Sequence, residues 1–251
     1  MRIAVAGGTG TVGRHVVDIA KQAGHDVVVL SRSRGVDVAG GGAGLDEALR
    51  GVDVIVDVTN PDTIEREPAS KFFTAVSAAL QQSGARDGVR HIVTLSIVGV
   101  DRTTFGYYQA KLDQERTAAR GPVPHTILRA TQLHELPAQL MAITRQDSHA
   151  SVFDVQSRPV AARTVAQVLV ELAESRPRGR VADLAGPQEA NLVDMAKAFV
   201  SRRGLDLTVD PDTQSMSGVP AGALLPPDGA RIEGPTYDQW LATEDAAALT
   251  V

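Results

Sequence analysis

The sequence predicts an α/β protein built on a doubly wound parallel sheet, and three observations carry that expectation. The stretch Val5-Ala6-Gly7-Gly8-Thr9-Gly10-Thr11-Val12-Gly13 sets a glycine-rich turn between a short apolar run and a helical pattern. Strand-like and helix-like patterns then alternate as far as residue 130, the signature of parallel strands joined by crossover helices. Several of the strand-like runs are apolar on both faces, as strands covered by helices on both sides must be.

The first strand is Ile3 to Ala6, and the following helix puts Val12, Val16, Ile19 and Ala20 on one face. Between them Gly7, Gly10 and Gly13 recur every third residue. In a dinucleotide site the first such glycine permits the tight turn, the second lets backbone approach a pyrophosphate, and the third lets helix and sheet pack closely. The free N–H groups from Thr9 through Thr11 and Val12 to Gly13 would face the phosphates, with the positive end of the helix dipole behind them.

Gly24 is placed to end that helix. Val27 to Leu30 follows as a second strand and stops at Ser31-Arg32-Ser33-Arg34. An NAD enzyme commonly offers a carboxylate here to the ribose 2′-hydroxyl, whereas arginine suits the 2′-phosphate of NADP. Ser31 and Arg32 therefore point to NADP(H), with NAD(H) as the alternative. Gly40-Gly41-Gly42 reads as loop, Leu45 to Leu49 as a short helix closed by Gly51, and Val52 to Val58 as the third strand. Asp53 and Asp57 lie an even number of residues apart and share a strand face, Asp53 in water at its start and Asp57 near the cofactor. A helix entered at Pro68 carries Phe72, Phe73, Val76 and Leu80 and ends at Ser83-Gly84. His91 to Leu95 is the fourth strand with Ser96 just past it, and Thr126 to Ala130 is the fifth.

The second half is less regular. Gln132 to Arg145 is helical but interrupted at Pro137, and Ser151 to Val155 reads as strand. Val165, Val168, Leu169 and Leu172 mark an amphipathic helix. Arg180 to Leu184 and Leu205 to Val209 read as strands, Asn191 caps a helix through Val200, and Pro211 to Pro235 is loop. Trp240 and Leu241 dock a last short helix. His134 and Glu135 fall in a solvent-facing loop at the edge of a substrate pocket.

Composition narrows the function classes. The 251 residues carry a net charge of -5, no cysteine and no long basic run. Thiolate chemistry and disulfides are excluded, and nucleic acid is not an expected partner. The histidines show no metal-ligand spacing. No apolar run is long enough to span a bilayer and no signal peptide is visible, so a cytoplasmic protein without membrane contact is expected.

Tyr107 and Lys111 stand four residues apart, on one face of a helix. A nearby ammonium would favour the phenolate and lower the tyrosine pKa. Ser96, at the mouth of the preceding strand, could hydrogen-bond a substrate oxygen. With the glycine turn, these residues resemble the short-chain dehydrogenase/reductase superfamily. Leu95-Ser96-Ile97-Val98-Gly99, Gly106-Tyr107-Tyr108-Gln109-Ala110-Lys111 and Leu128-Arg129-Ala130-Thr131-Gln132 sharpen the resemblance to its atypical, NmrA-like NAD(P)H-binding members.

The resemblance implies a Rossmann-type dinucleotide-binding core over residues 1–130 and a smaller C-terminal substrate lobe over 131–251. It implies Asp37 and Val38 at the adenine, and Val58, Thr59 and Asn60 along the cofactor channel. It makes Tyr107 the acid/base, with Lys111 on the nicotinamide ribose. The superfamily's assisting asparagine has no counterpart here. The implied activity is NADPH-dependent reduction of a carbonyl or related small molecule. The alternatives are a non-catalytic NADP(H)-binding redox sensor and a nucleotide-sugar epimerase or dehydratase. Oligomeric state stays open.

Overall fold

A computed structural model describes residues 1–40 and 44–251. The expected Gly40-Gly41-Gly42 loop thus falls partly outside the described residues. The elements run β1 (Arg2–Ala6), α1 (Gly13–Gln22), β2 (Asp26–Leu30), a single 3-10 turn (Arg32–Arg34), α2 (Leu45–Leu49), β3 (Val54–Asp57), α3 (Arg66–Arg86), β4 (His91–Ile97), α4 (Gly106–Arg120) and β5 (His125–Ala130). They continue with α5 (Leu136–Thr144), β6 (His149–Phe153), β7 (Gln156–Ser157), α6 (Ala162–Glu174), β8 (Gly179–Arg180), β9 (Leu184–Ala185), β10 (Ala190–Asn191), α7 (Leu192–Arg203), β11 (Thr208–Asp212), β12 (Arg231–Ile232), α8 (Tyr237–Leu241) and α9 (Glu244–Ala247).

The main sheet is ordered β12-β9-β5-β4-β3-β1-β2, with β8 also beside β5. Its pairings are parallel. Alternation sorts each strand onto two faces. Ile3, Val5, Val54, Val56, Val93 and Leu128 pack under α1 and α6. On the other face Ala4, Ala6, Ile55 and Ile92 meet Leu45 and Leu49 of α2 and Val76 and Leu80 of α3. The sheet therefore does not stop at residue 130, since α6, β8, β9 and β12 come from the second half. A separate core joins α5, β6, α7 and β11 to α8 and α9 around Met141, Phe199 and Trp240.

Several boundaries differ from expectation for physical reasons. β2 is the sheet edge, so Val27, Val28 and Val29 are half-buried rather than buried on both faces. α3 runs on to Arg86. Gly84 lies inside it, where a Cβ would stand 3.4–3.5 Å from Val89, Ile55 and Val123. Pro137 opens α5 rather than interrupting it, because a first-turn residue needs no N–H partner within the helix. The Pro- and Gly-rich stretch after β11 is mostly loop, yet Arg231–Ile232 adds β12 to the sheet. Asn191 does cap α7, accepting the Val193 N–H at 2.8 Å. Among the described residues no helix is long and apolar enough to cross a membrane.

This topology fixes where a ligand can sit. The chain steps from β1 to β2 on one side and then to β3 on the other. The crevice between β1 and β3, at the carboxyl edge, is where such sheets bind ligands.

Candidate active site

The glycine turn fills that crevice. Gly7 adopts φ +80°, and a Cβ on it would lie 2.8 Å from the Val58 carbonyl oxygen. A Cβ on Gly13 would lie 2.1 Å from the Gly7 oxygen. Both positions exclude any side chain. Gly10 is different: it is exposed, its φ is ordinary, and a Cβ would meet only the Gly7 oxygen at 3.3 Å. Its N–H closes the turn on Gly7 at 3.0 Å. The N–H groups of Thr9, Thr11, Val12 and Gly13 have no acceptor among the described residues. They form an open cluster of donors at the start of α1, with no Cβ at residue 10 to obstruct it. This chemistry fits a dinucleotide pyrophosphate. The Thr11 hydroxyl accepts from Gln139 of α5 at 2.6 Å, tying the turn to the second core.

At the end of β2 the Arg32 side chain is 81% exposed and lies 3.4 Å from the still more exposed Asp62. The Ser31 and Ser33 hydroxyls lie 3.0 Å apart. Asp37 braces its own loop by accepting the Gly40 N–H at 3.2 Å. Val38 is buried with Leu45 and Leu49, so its side chain belongs to the core and only its backbone is left for an adenine.

Beyond β3, Val58 lies against Gly7, Thr59 is buried and Asn60 is exposed. Tyr107, half-buried in the first turn of α4, donates its hydroxyl hydrogen to the Asn60 side-chain oxygen. Its ring meets Phe73 of α3 edge-on at 5.8 Å. Lys111 lies one turn along but does not lower the tyrosine pKa as expected. Burial instead pushes the Tyr107 phenol up, so the hydroxyl keeps its proton. The Lys111 ammonium points inward, to the Leu95 carbonyl at 2.9 Å and Gln114 Oε1 at 2.7 Å, with the Phe73 ring 4.5 Å away. Burial brings the Lys111 pKa down to about 8, against the opposing pull of Asp57 and Glu115.

Ser96 is not past the strand. It is the sixth residue of β4, paired in register with Arg129 and 1% exposed. Its hydroxyl is buried without a partner among the described residues. Val98 continues the strand's hydrogen bonding to Ala130, which is why the strand outlasts its apolar run. Arg129 is committed to structure: it holds Glu115 through two 2.7 Å bonds and Asp101 through a third. Asp53 is half-buried rather than free in water, held by the Arg2 N–H and the Arg90 guanidinium.

His134 and Glu135 are both buried, contrary to the solvent-facing loop expected of them. His134 packs edge-on against Tyr237 and Trp240. Glu135 receives the Ala162 N–H at the start of α6. Sequence reasoning also missed three partners: Asn60 for Tyr107, Phe73 for Lys111, and the Gln114 link between Lys111 and Asp57. Only the Lys111–Gln114 half of the last left a trace, because residues three apart on a helix are neighbours.

Among the described residues no group of three or more metal-binding side chains forms. Comparison with solved structures shows the same fold at low identity. A dTDP-4-dehydrorhamnose reductase from Clostridium acetobutylicum aligns with TM-score 0.74 and 16% identity, over 99% of this chain and 100% of that one. MoeE5, solved with UDP-glucose and NAD, gives 0.78 and 16%, with 98% of each chain covered. An NADPH-bound quinone oxidoreductase from Escherichia coli gives 0.63 and 18%, over 84% of this chain and 78% of that one. The (4-alkanoyl-5-oxo-2,5-dihydrofuran-3-yl)methyl phosphate reductase of Streptomyces griseus is 33% identical over 140 residues. That match covers 51% of this chain and 46% of the relative, so the chain spans about half of its length. A family model described as NAD(P)H-binding matches residues 7–176. More than half the chain is matched, and with the glycine turn in its crevice the chain belongs to this NAD(P)H-binding family.

Proposed function

We propose that this chain is an NAD(P)H-dependent oxidoreductase that reduces a carbonyl or closely related group on a small molecule. The observation that carries this reading is Tyr107: a phenol hydrogen-bonded to Asn60 at the carboxyl edge of the sheet, beside the glycine-turn crevice. When bound in the β1–β3 crevice, the dinucleotide would supply the hydride. Thr9, Thr11, Val12 and Gly13 hold the pyrophosphate through their N–H groups. Tyr107 gives its proton to the carbonyl oxygen as negative charge develops there, and solvent returns it afterwards. Arg32, exposed and held among the described residues by a long contact to Asp62, can turn onto a 2′-phosphate, which favours NADPH over NADH. Arg158 would supply a cationic group to the substrate. Its backbone oxygen is fixed by Thr131 at 2.6 Å, beyond the end of β5, and its guanidinium donates only to the Pro187 carbonyl among the described residues. That suits a substrate with an anionic substituent, in keeping with the phosphate ester named for the Streptomyces relative.

The test is NADPH oxidation over a panel of carbonyl compounds, with and without an anionic substituent. Tyr107→Phe should bind cofactor normally and lose roughly 10²-fold or more in turnover. Tyr108→Phe is the control, since Tyr108 is buried in a core with Val100 and Leu224 and its hydroxyl accepts a hydrogen bond from Gln132. Normal turnover by Tyr107→Phe would overturn the reading. Tight NADPH binding with no turnover of any compound, but altered association with a protein partner, would replace it with a redox sensor.

A further inference from the structure

Two opposite charges are buried at this site without touching each other. Lys111 is 5% exposed and Asp57 1% exposed. The ammonium donates to the Leu95 carbonyl and to Gln114, while the carboxylate accepts from Thr59 and Gln114. Each would be costly to bury alone. Gln114, with no exposed surface, stands between them. An ammonium offers only donors and an ionised carboxylate only acceptors. The amide therefore has one satisfactory orientation: Oε1 toward Lys111 at 2.7 Å and Nε2 toward Asp57 at 2.9 Å. A leucine there would leave both charges short of a partner. A glutamate would set a second carboxylate against Asp57.

The chain of bonds continues in both directions. Asp57 accepts the Thr59 N–H at 3.1 Å and its hydroxyl at 2.7 Å. That loop carries Asn60, the partner of Tyr107. At the other end, the ammonium makes two hydrogen bonds among the described residues, with the Phe73 ring beside it. Around the ammonium, β3 contributes Asp57, α4 contributes Tyr107 and the Arg129-bound Glu115, α3 contributes the neutral Phe73 ring, and β4 contributes only a backbone carbonyl.

We propose that Gln114 is the positioning residue for Lys111, its carboxamide bridging the buried ammonium to Asp57 and thereby to the loop that holds Tyr107. This rests on the reading of Lys111 as the group that holds the nicotinamide ribose. The bridge itself can be tested without turnover. The chain has four lysines, so labelling their ε carbons with carbon-13 gives four resonances, with Lys111 assigned by Lys111→Arg. In the wild type Lys111 should titrate well below the other three.

Gln114→Met keeps the volume and removes the amide. It should lower the Lys111 midpoint by about one pH unit, leave the other lysines in place and weaken NADPH about tenfold by calorimetry. Gln114→Glu should raise the midpoint, and serves if the methionine variant folds poorly. An unchanged Lys111 midpoint in either folded variant overturns the bridge. Unchanged NADPH affinity in Lys111→Ala would instead sink the ribose assignment, a separate failure that the titration does not share.

Discussion

Gly10 separates folding from binding more cleanly than any other residue of the turn, so Gly10→Val is the sharpest test of the site. In the unliganded chain this residue is exposed, its φ is not left-handed, and its nearest obstacle is one carbonyl oxygen 3.3 Å away. A valine there costs the fold little, within roughly 0.5–1 kcal/mol, or about 3 °C in melting temperature for a chain of this size. A pyrophosphate bound at the turn would meet a different surface. The new side chain would occupy the space in front of the Thr11 and Val12 N–H groups. Hydrogen bonds to a charged group are worth about 1.5–3 kcal/mol each. Losing two weakens the dinucleotide by at least about 3 kcal/mol, or ~150-fold in Kd. Calorimetric titration with NADPH beside a thermal melt reads both quantities. Gly13→Ala is the contrasting variant: its Cβ would stand 2.1 Å from the Gly7 oxygen, so its melting temperature should fall sharply. A folded Gly10→Val that binds within threefold of wild type would refute the placement of the pyrophosphate, and the proposed function with it.

Two further outcomes follow from the exposed and buried cations of the site. Arg32→Ala should weaken NADPH by about 2 kcal/mol, ~30-fold, and leave NADH nearly unchanged; equal loss for both, or tighter NADH than NADPH in the wild type, would remove the 2′-phosphate contact. In the turnover series built on Tyr107→Phe, Lys111→Ala should lower both rate and cofactor affinity, whereas Tyr108→Phe should change neither by more than a few-fold; the reverse ranking of the two tyrosines would move the proton donor by one position.

The strand, glycine turn and helix at the start of the chain were legible because their constraints are local. A glycine with φ +80° and another with no room for a Cβ leave a pattern in a short stretch of sequence. Leu45–Leu49 appears in the structure with the bounds its apolar spacing gives. What stayed hidden depends on which segments meet. Nothing near Val27 to Val29 shows that β2 is an edge, since that depends on where the sheet ends. Ser96 seems to stand beyond a strand until Arg129 is found opposite it in register. Asn60 and Tyr107 are separated by 47 residues and Asp57 and Gln114 by 57, so neither contact has a sequence signature. His134 and Glu135 look like loop polars, because the rings against His134 come from residues 237 and 240 and the N–H on Glu135 from residue 162.

Glu135 gives that buried cluster a measurable consequence. Both of its oxygens face the Ala162 N–H, yet it has no exposed surface. Burial, with a smaller push from Asp245, raises its pKa from 4.5 to about 7. A carboxyl group that holds its proton more tightly when folded favours the fold most at low pH. That advantage is lost as pH rises from its unfolded value through its folded one. Between pH 5 and pH 8 the loss amounts to about 2.5 kcal/mol. His91 and His134 act in the opposite sense. Desolvation lowers both to about 4, so they remove stability as pH falls from about 6.5 toward 4. In the wild type the two trends partly cancel, and the acid limb is shallow. Glu135→Gln keeps an acceptor for the Ala162 N–H and removes the titration. Compared with wild type, its urea-derived stability should improve by about 2.5 kcal/mol on going from pH 5 to pH 8. The histidine-driven acid limb should also become steeper. A difference between the two proteins that stays constant across that range would show that Glu135 ionises in the folded chain as it does in water.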